Sequence, residues 1–311
     1  MTDSFDLIVV IPVGPSDNLA YVLDSIESVI RYTGPSTKII VLDDSAQNKG
    51  ALLQSQVRGI DVVKTPRNQG LHGGLYLTLS LGYLYALRNY DFKVLLKLDA
   101  DALVIGERPD HDAIEFFVRH PRAGLIGLVG YGTRPDGVDH HWSKSRLLYE
   151  TQLRRLPRDP VRCLSLRRLV RQATANGFRP GDYVFGGSYF ISSTCIRRLA
   201  DAHLLSRSEL GRSLLEEDHI FGLLAKVVGM DLGDFASGDL PMALDWKRLP
   251  CAPEQLIAEK KKITHSVRRW ENLGEEDIRA FFHARRTLTL DKAVLREFRD
   301  PHSAKDDGGS V

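Results

Sequence analysis

Apolar residues along the first hundred positions follow two alternating rhythms. FDLIVVIPV, Phe5 to Val13, is an almost unbroken β-branched run, the pattern of a strand buried on both faces. Leu19, Val22, Leu23, Ile26, Val29 and Ile30 then recur at helical spacing. Ser16, Asp17 or Asn18 is available as the cap and Gly34-Pro35 as the stop. TKIIVLDDS predicts a second strand, GALLQSQVRG a weaker helix and IDVVKTP a third strand. GGLYLTLSLGYLYALRNY predicts another helix, and FKVLLKLDADALV a fourth strand. Strands alternating with helices imply an α/β fold with a mostly parallel sheet and right-handed crossovers. Ligands of such sheets bind at the carboxyl ends of the strands.

The rhythm changes after about residue 143. Nine arginines (146, 154, 155, 158, 162, 167, 168, 171 and 179) lie in a stretch with few acids, which reads as two short amphipathic helices around Pro157 and Pro160. YVFGGSYFIS follows as a strand with a Gly-Gly step. SLLEEDHIFGLLAKVVGM is a helix with Ile220, Phe221, Leu224, Val227 and Val228 on its apolar face and Gly229 as its stop. No internal repeat or low-complexity tract is present.

Composition adds bounds. The chain has 311 residues, 43% hydrophobic and 26% charged, enough for a substantial core. A net charge of +2 does not advertise a polyanionic partner for the whole chain. Cys163, Cys195 and Cys251 are odd in number and far apart, which argues against a disulfide framework or a thiolate zinc site and for a reducing, cytoplasmic compartment. No apolar run reaches the roughly 20 residues that span a bilayer, and the N-terminus lacks a basic leader. A cytoplasmic protein is expected, one that can still sit peripherally on a membrane. Residues 301–311 are polar and Gly-containing and are expected to be disordered.

The candidate chemistry gathers at strand ends. Asp99 and Asp101 close the fourth strand, and strand alternation would point both carboxylates to one side. Hard divalent cations such as Mg²⁺ take one or two carboxylates plus substrate phosphates, so the pair suits a metal; a plain loop start is the alternative. Asp43 and Asp44 close the second strand on the same rim, suited to ribose or base contacts or to capping a turn. RNQGLHGG, from Arg67, offers a guanidinium, an amide and three glycines to a phosphate, or forms a tight turn. Glu216, Glu217, Asp218 and His219 open a helix, where acids favour the dipole or one acts as a general base. His265 is a lone histidine. PVGPSDN after the first strand lacks a dinucleotide-binding Gly-X-Gly-X-X-Gly.

In order, VVIPV, VLDDS, RNQG, KLDADALV, GGSYFIS and EEDHIF resemble the family 2 glycosyltransferases over roughly residues 5–230. The resemblance implies a GT-A fold, a Rossmann-like, mostly parallel central sheet flanked by helices. It implies inverting transfer of a sugar from a nucleotide donor, usually a uridine diphosphate sugar, with Mn²⁺ or Mg²⁺. Pro12 and Val13 match the loop against the nucleoside. Asp44, with Asp43 beside it, matches the base- or ribose-binding carboxylate, and Arg67 and Asn68 line the donor pocket. Asp99 matches the donor-side aspartate, which can share the cation. Asp101 matches the metal ligand and Asp218 the catalytic base. His265 is the candidate for the histidine that some GT-A enzymes add to the metal.

The implied organisation is a transferase domain over 1–250, with a nucleotide-sugar half (1–104) and an acceptor half (105–250) that carries the Arg-rich helical insertion at about 143–180. A helical C-terminal extension (251–300) and the tail (301–311) follow. DDSA replaces the familiar DDGS. SVRRW, Ser266 to Trp270, keeps only the Arg-Trp of the processive members, so single sugar addition is expected. The arginines read as a solvated face, a site for an anionic acceptor or an anionic-membrane contact; nucleic acid is disfavoured because aromatics are not interleaved. A nucleotidyltransferase of similar fold and a non-catalytic nucleotide-sugar-binding protein are the alternatives.

Overall fold

The computed structural model describes residues 3–130 and 142–287. The expected tail at 301–311 and the end of the extension at 288–300 lie outside them. The first part runs β1 (Asp3–Val13), α1 (Leu19–Tyr32), β2 (Thr37–Asp43), α2 (Lys49–Gln56), β3 (Asp61–Lys64), α3 (Gly73–Asn89), β4 (Tyr90–Leu98) and β5 (Ala102–Val104). Then come α4 (Pro109–Arg119), β6 (Ala123–Gly127), β7 (Val129–Gly130), α5 (Trp142–Glu150), α6 (Pro160–Ala175), β8 (Tyr183–Val184) and β9 (Ser188–Ser192). The chain continues through α7 (Ser193–Asp201), α8 (Glu217–Val227), β10 (Asp231–Asp234), β11 (Met242–Leu244) and α9 (Pro253–Ala258). It ends with β12 (Ile263–His265), β13 (Arg269–Trp270), β14 (Leu273–Gly274) and α10 (Glu275–Thr287).

Seven strands form the central sheet in the order β10-β6-β9-β4-β1-β2-β3. All are parallel except β9, which runs against both β4 and β6. Helices cover both faces, which is why the strands read as unbroken apolar runs. Alternation divides each strand between two cores: Ile8 and Val10 of β1 pack on one face with α3 and α8, and Leu7, Val9 and Ile11 on the other with α1. The expected mixed α/β architecture with a mostly parallel sheet is what the structure has.

Local choices explain the element ends. Asn18 caps α1 by accepting from the Ala20 N–H. Gly229, at φ +74°, follows the C-cap of α8, a left-handed position that favours glycine.

Three expectations are corrected. FKVLLKLDADALV is two strands, because the chain turns at Asp99-Asp101 and leaves the main sheet. β5 joins a second sheet ordered β11-β12-β5, antiparallel to β12. Asp99 and Asp101 therefore sit in a turn, and strand alternation does not orient them. YVFGGSYFIS also splits, into β8 and β9, with Gly186-Gly187 as the break. The segment after 250 is not simply helical: β12 threads into the second sheet, and α9 and α10 close a third core around Leu103, Leu249, Val267, Ile278 and Phe282.

Phe190 of β9 is fully buried, its ring 6.0 Å edge-on from Phe235. Phe190→Ala is expected to cost about 3–5 kcal/mol in denaturant unfolding. A loss below about 1 kcal/mol would mean that β9 is not packed as described.

Candidate active site

The site forms where β4 ends. Lys97, the next-to-last residue of β4, is fully buried. Its ammonium lies 2.6 Å from Asp99 Oδ1 and 3.3 Å from Glu217 Oε1, and it donates to the Gly186 carbonyl. Burial opposes its charge, but Asp99 and Glu217 outweigh that and raise its pKa. No sequence reading singled out Lys97, because it was counted within an apolar run. The available signal was a lone cation in a doubly buried strand, two residues before an acid.

Asp99, Asp101 and His265 offer ligand atoms that all lie within 4.8 Å of one another. The turn holds Asp99 and Asp101, and β12 delivers His265 through its pairing with Ala102. His265 Nδ1 lies 2.7 Å from the Asp245 carbonyl oxygen, which can only accept, so Nδ1 carries the proton. Nε2 lies 3.2 Å from Asp101 Oδ1. Two acceptors at that distance call for a cation between them, either a proton on Nε2 or a metal, so the donor set fits a hard divalent ion. Burial opposes a charge on His265, yet Asp101 and Asp99 raise its pKa. Asp101 also accepts from Ser266 Oγ at 3.1 Å and Arg268 Nε at 2.8 Å. Burial works against its ionisation, but these partners and His265 hold it well below the usual carboxylate range.

The turn is braced from behind. Ser25 Oγ lies within donating distance of the Ala100 and Ala102 carbonyls, at 3.0 and 2.9 Å. Arg279 of α10 donates to the Ala100 carbonyl at 2.6 Å while paired with Asp24 at 2.8 Å and Glu275 at 2.9 Å. Sequence reading missed Arg279 as well; only the packing of α10 on α1 brings it there.

The Gly-Gly step joins this cluster to α8. A Cβ at Gly187 would stand 2.3 Å from His265 Nδ1, and one at Gly186 would stand 2.6 Å from Glu217 Oε1 and 3.1 Å from Asp218 Oδ2. Asp218 Oδ2 accepts from the Gly186 N–H at 2.8 Å, and Oδ1 accepts from the His219 N–H at 2.8 Å. His219 Nδ1 lies 2.9 Å from the same Oδ1. Burial disfavours the Asp218 charge, but His219 and these bonds lower its pKa overall. Glu217 goes the other way: burial, opposed by Lys97 and reinforced by Asp218 and Asp99, pushes it up to about 8.

The second strand's pair divides. Asp43 is buried and its oxygens are used: Ser45 N–H and Oγ donate to Oδ1, and Gly50 N–H and Lys64 Nζ to Oδ2. It clamps the turn into α2 and has no oxygen left for a ligand. Asp44 accepts from Thr65 Oγ1 at 2.5 Å and from the Gln69 N–H at 3.0 Å, while Asn68 Nδ2 donates to its carbonyl at 2.8 Å. Asp44 and Asn68 are thus brought together, and Arg67 is exposed on the same loop. Pro12 and Val13 are buried, with Val13 paired to Asp43 in the sheet. The loop after them is held by Lys49 Nζ, 2.6 Å from both the Pro15 and Asp17 carbonyls. Burial raises the Asp17 pKa, and Asp101 and Arg268 both act on it, so this loop lies within electrostatic reach of the cluster.

No protein-family model matches the chain, and no curated protein matches it. Among solved structures it is similar to the bifunctional glycosyltransferase WbbM, at 13% identity and TM-score 0.46, over 90% of this chain and 52% of that one. It thus spans about half the length of WbbM. S. aureus TarS 1–349 aligns at 15% identity and TM-score 0.43, over 97% of this chain and 73% of that one. The galactosyltransferase LgtC, in complex with donor and acceptor sugar analogues, aligns at 12% identity and TM-score 0.46, over 89% and 95%. With each of these TM-scores below 0.5, the function rests on the site itself.

Gly187→Ala is expected to displace the His265 ring and lower Mn²⁺ affinity by about tenfold or more, with the circular dichroism spectrum unchanged. Unchanged affinity would show that His265 does not contribute to a metal site.

Proposed function

We propose that the chain is a glycosyltransferase that moves a single sugar from a nucleoside diphosphate donor, expected to be a uridine diphosphate sugar, to an acceptor hydroxyl with inversion. The observation that carries this reading is the convergence of Asp99, Asp101 and His265 beside a buried Lys97–Glu217–Asp218 set at the carboxyl end of β4. A bound Mn²⁺ or Mg²⁺ would supply Lewis-acid neutralisation of the departing diphosphate. Asp101 and His265 would hold the ion, with Asp99 on its donor side. Asp44 and Asn68, beside the ends of β1 at Pro12 and Val13, form the nucleoside end of the crevice, and Arg67 is free to reach phosphate. Asp43 supports that end as a turn clamp and contacts no ligand.

Asp218 is the proposed base. The Gly186 N–H and His219 keep it ionised, ready to accept the proton of the attacking hydroxyl, at some cost in basicity. Glu217, whose pKa burial raises against the pull of Lys97, holds a proton more readily than its neighbour. Two adjacent carboxyls whose surroundings push their proton affinities apart are the arrangement expected where one of them handles a proton.

A donor panel read by nucleotide release tests the assignment without an acceptor. Asp101→Ala is expected to lose at least about a hundredfold in turnover, as loss of several kcal/mol of charge stabilisation requires. Chelation should abolish release, and added Mn²⁺ or Mg²⁺ should restore it. Normal turnover by Asp101→Ala would end the metal assignment.

Asp218→Asn is expected to lower transfer about 10²–10⁴-fold while donor affinity by calorimetry stays within a few-fold of the parent. Equal loss of both would make Asp218 a structural cap. Nucleotide binding without any release by the parent protein would favour the non-catalytic binder.

A further inference from the structure

The Arg-rich segment lies outside the site, and its exposed side chains have a definite order. α6 buries Cys163, Leu166, Leu169 and Ala173 against the domain. Its opposite stripe is Val161, Leu164, Arg168 and Arg171, at spacings of three, four and three, all exposed. Val161 and Leu164 are 61% and 55% exposed, high values for aliphatic side chains on a well-packed helix. Nearby, Leu148 at the end of α5 and Leu153 just after it are 47% and 60% exposed. The two parts are joined: Arg167 donates to the Thr151 carbonyl at 2.8 Å, and Cys163 Sγ lies 3.5 Å from the Gln152 carbonyl.

The arginines here divide by partner. Arg162 pairs with Glu150 and Asp159, and Arg212 pairs with Asp159. Among the described residues no carboxylate pairs with Arg158, Arg168 or Arg171. Arg155 stacks on the Tyr149 ring at 3.5 Å, so one face of the patch's aromatic is occupied. A solvated salt-bridged face would have paired its charges and hidden its leucines. A nucleic-acid face would offer uncovered rings.

We infer that α6 and the end of α5 form a docking face for an anionic lipid bilayer, with Val161, Leu164, Leu148 and Leu153 entering the interface and Arg158, Arg168 and Arg171 meeting the headgroups. Exposed aliphatics flanked by uncompensated arginines match both parts of such a surface, an apolar boundary beneath a negative potential. Among the described residues no helix is long and apolar enough to cross a membrane, so contact of this kind is peripheral. The inference rests on no step of the proposed sugar transfer.

Co-sedimentation of the full chain with phosphatidylcholine vesicles, with and without phosphatidylglycerol, tests it. The parent should partition onto the anionic vesicles and weakly onto the neutral ones. Arg168→Gln with Arg171→Gln should weaken anionic binding roughly fivefold per arginine, about 25-fold together. Val161→Ser with Leu164→Ser should remove the bound fraction that survives high salt. Both pairs are exposed, so melting temperature and nucleotide release should match the parent's. Equal binding to both vesicle types, or parent-like binding by either double variant, would overturn the proposal. So would single-stranded RNA or heparin that binds more tightly than the vesicles and displaces them.

Discussion

One buried ammonium governs the centre of this protein. Lys97 sits inside a sheet with no exposure, which is tolerable only because Asp99, Glu217 and the Gly186 carbonyl surround it. Removing one partner of such a set costs about 3–5 kcal/mol, so each element that supplies a partner is bound to the others. β4 brings the lysine, the turn after it Asp99, the Gly-Gly step a carbonyl and α8 a carboxylate. Three separate stretches are thereby held in register around one point, and the acids of the crevice are gathered without mutual repulsion driving them apart.

The glycines and α10 follow from that constraint. Side chains at Gly186 and Gly187 would occupy the space of Glu217, Asp218 and His265, so the two acidic groupings can approach only across bare backbone. On the other side of the turn, Arg279 ties the Ala100 carbonyl to Asp24, and Arg286 pairs with the same aspartate. The C-terminal part therefore braces the turn that presents Asp99 and Asp101, and through β12 it contributes His265.

The same logic separates the two aspartate pairs that look alike in sequence. Asp43 and Asp44 stand at the end of β2 as Asp99 stands just past the end of β4, yet Asp43 spends its oxygens on Ser45, Gly50 and Lys64, and Asp44 organises the loop that holds Asn68 and Gln69. Asp101 instead lies 3.2 Å from His265 Nε2, a contact that needs either a proton on that nitrogen or a metal between the two. Local partners, not residue type, distinguish a clamp from a candidate ligand.

Much of the fold was legible because burial on both faces of a parallel sheet leaves unbroken apolar runs, and helical spacing between them marks the crossovers. The alternation from β1 to β4 and the clustering of acids at strand ends needed nothing more than the order of residues. The break at Asp99-Asp101 was not legible: a run that leaves one sheet and enters another looks like one strand until its hydrogen-bond partners are known. Nor were Lys97 and Arg279 legible as parts of the site, and His265 came into it only through the family resemblance, not through its spacing. His265 lies 164 positions from Asp101, and its partner Asp245 lies 20 before it. Sequence determines which side chains are available and how often they face inward. Which of them meet is decided by the packing of distant elements, because a charge's role depends on the groups within a few ångströms of it in space.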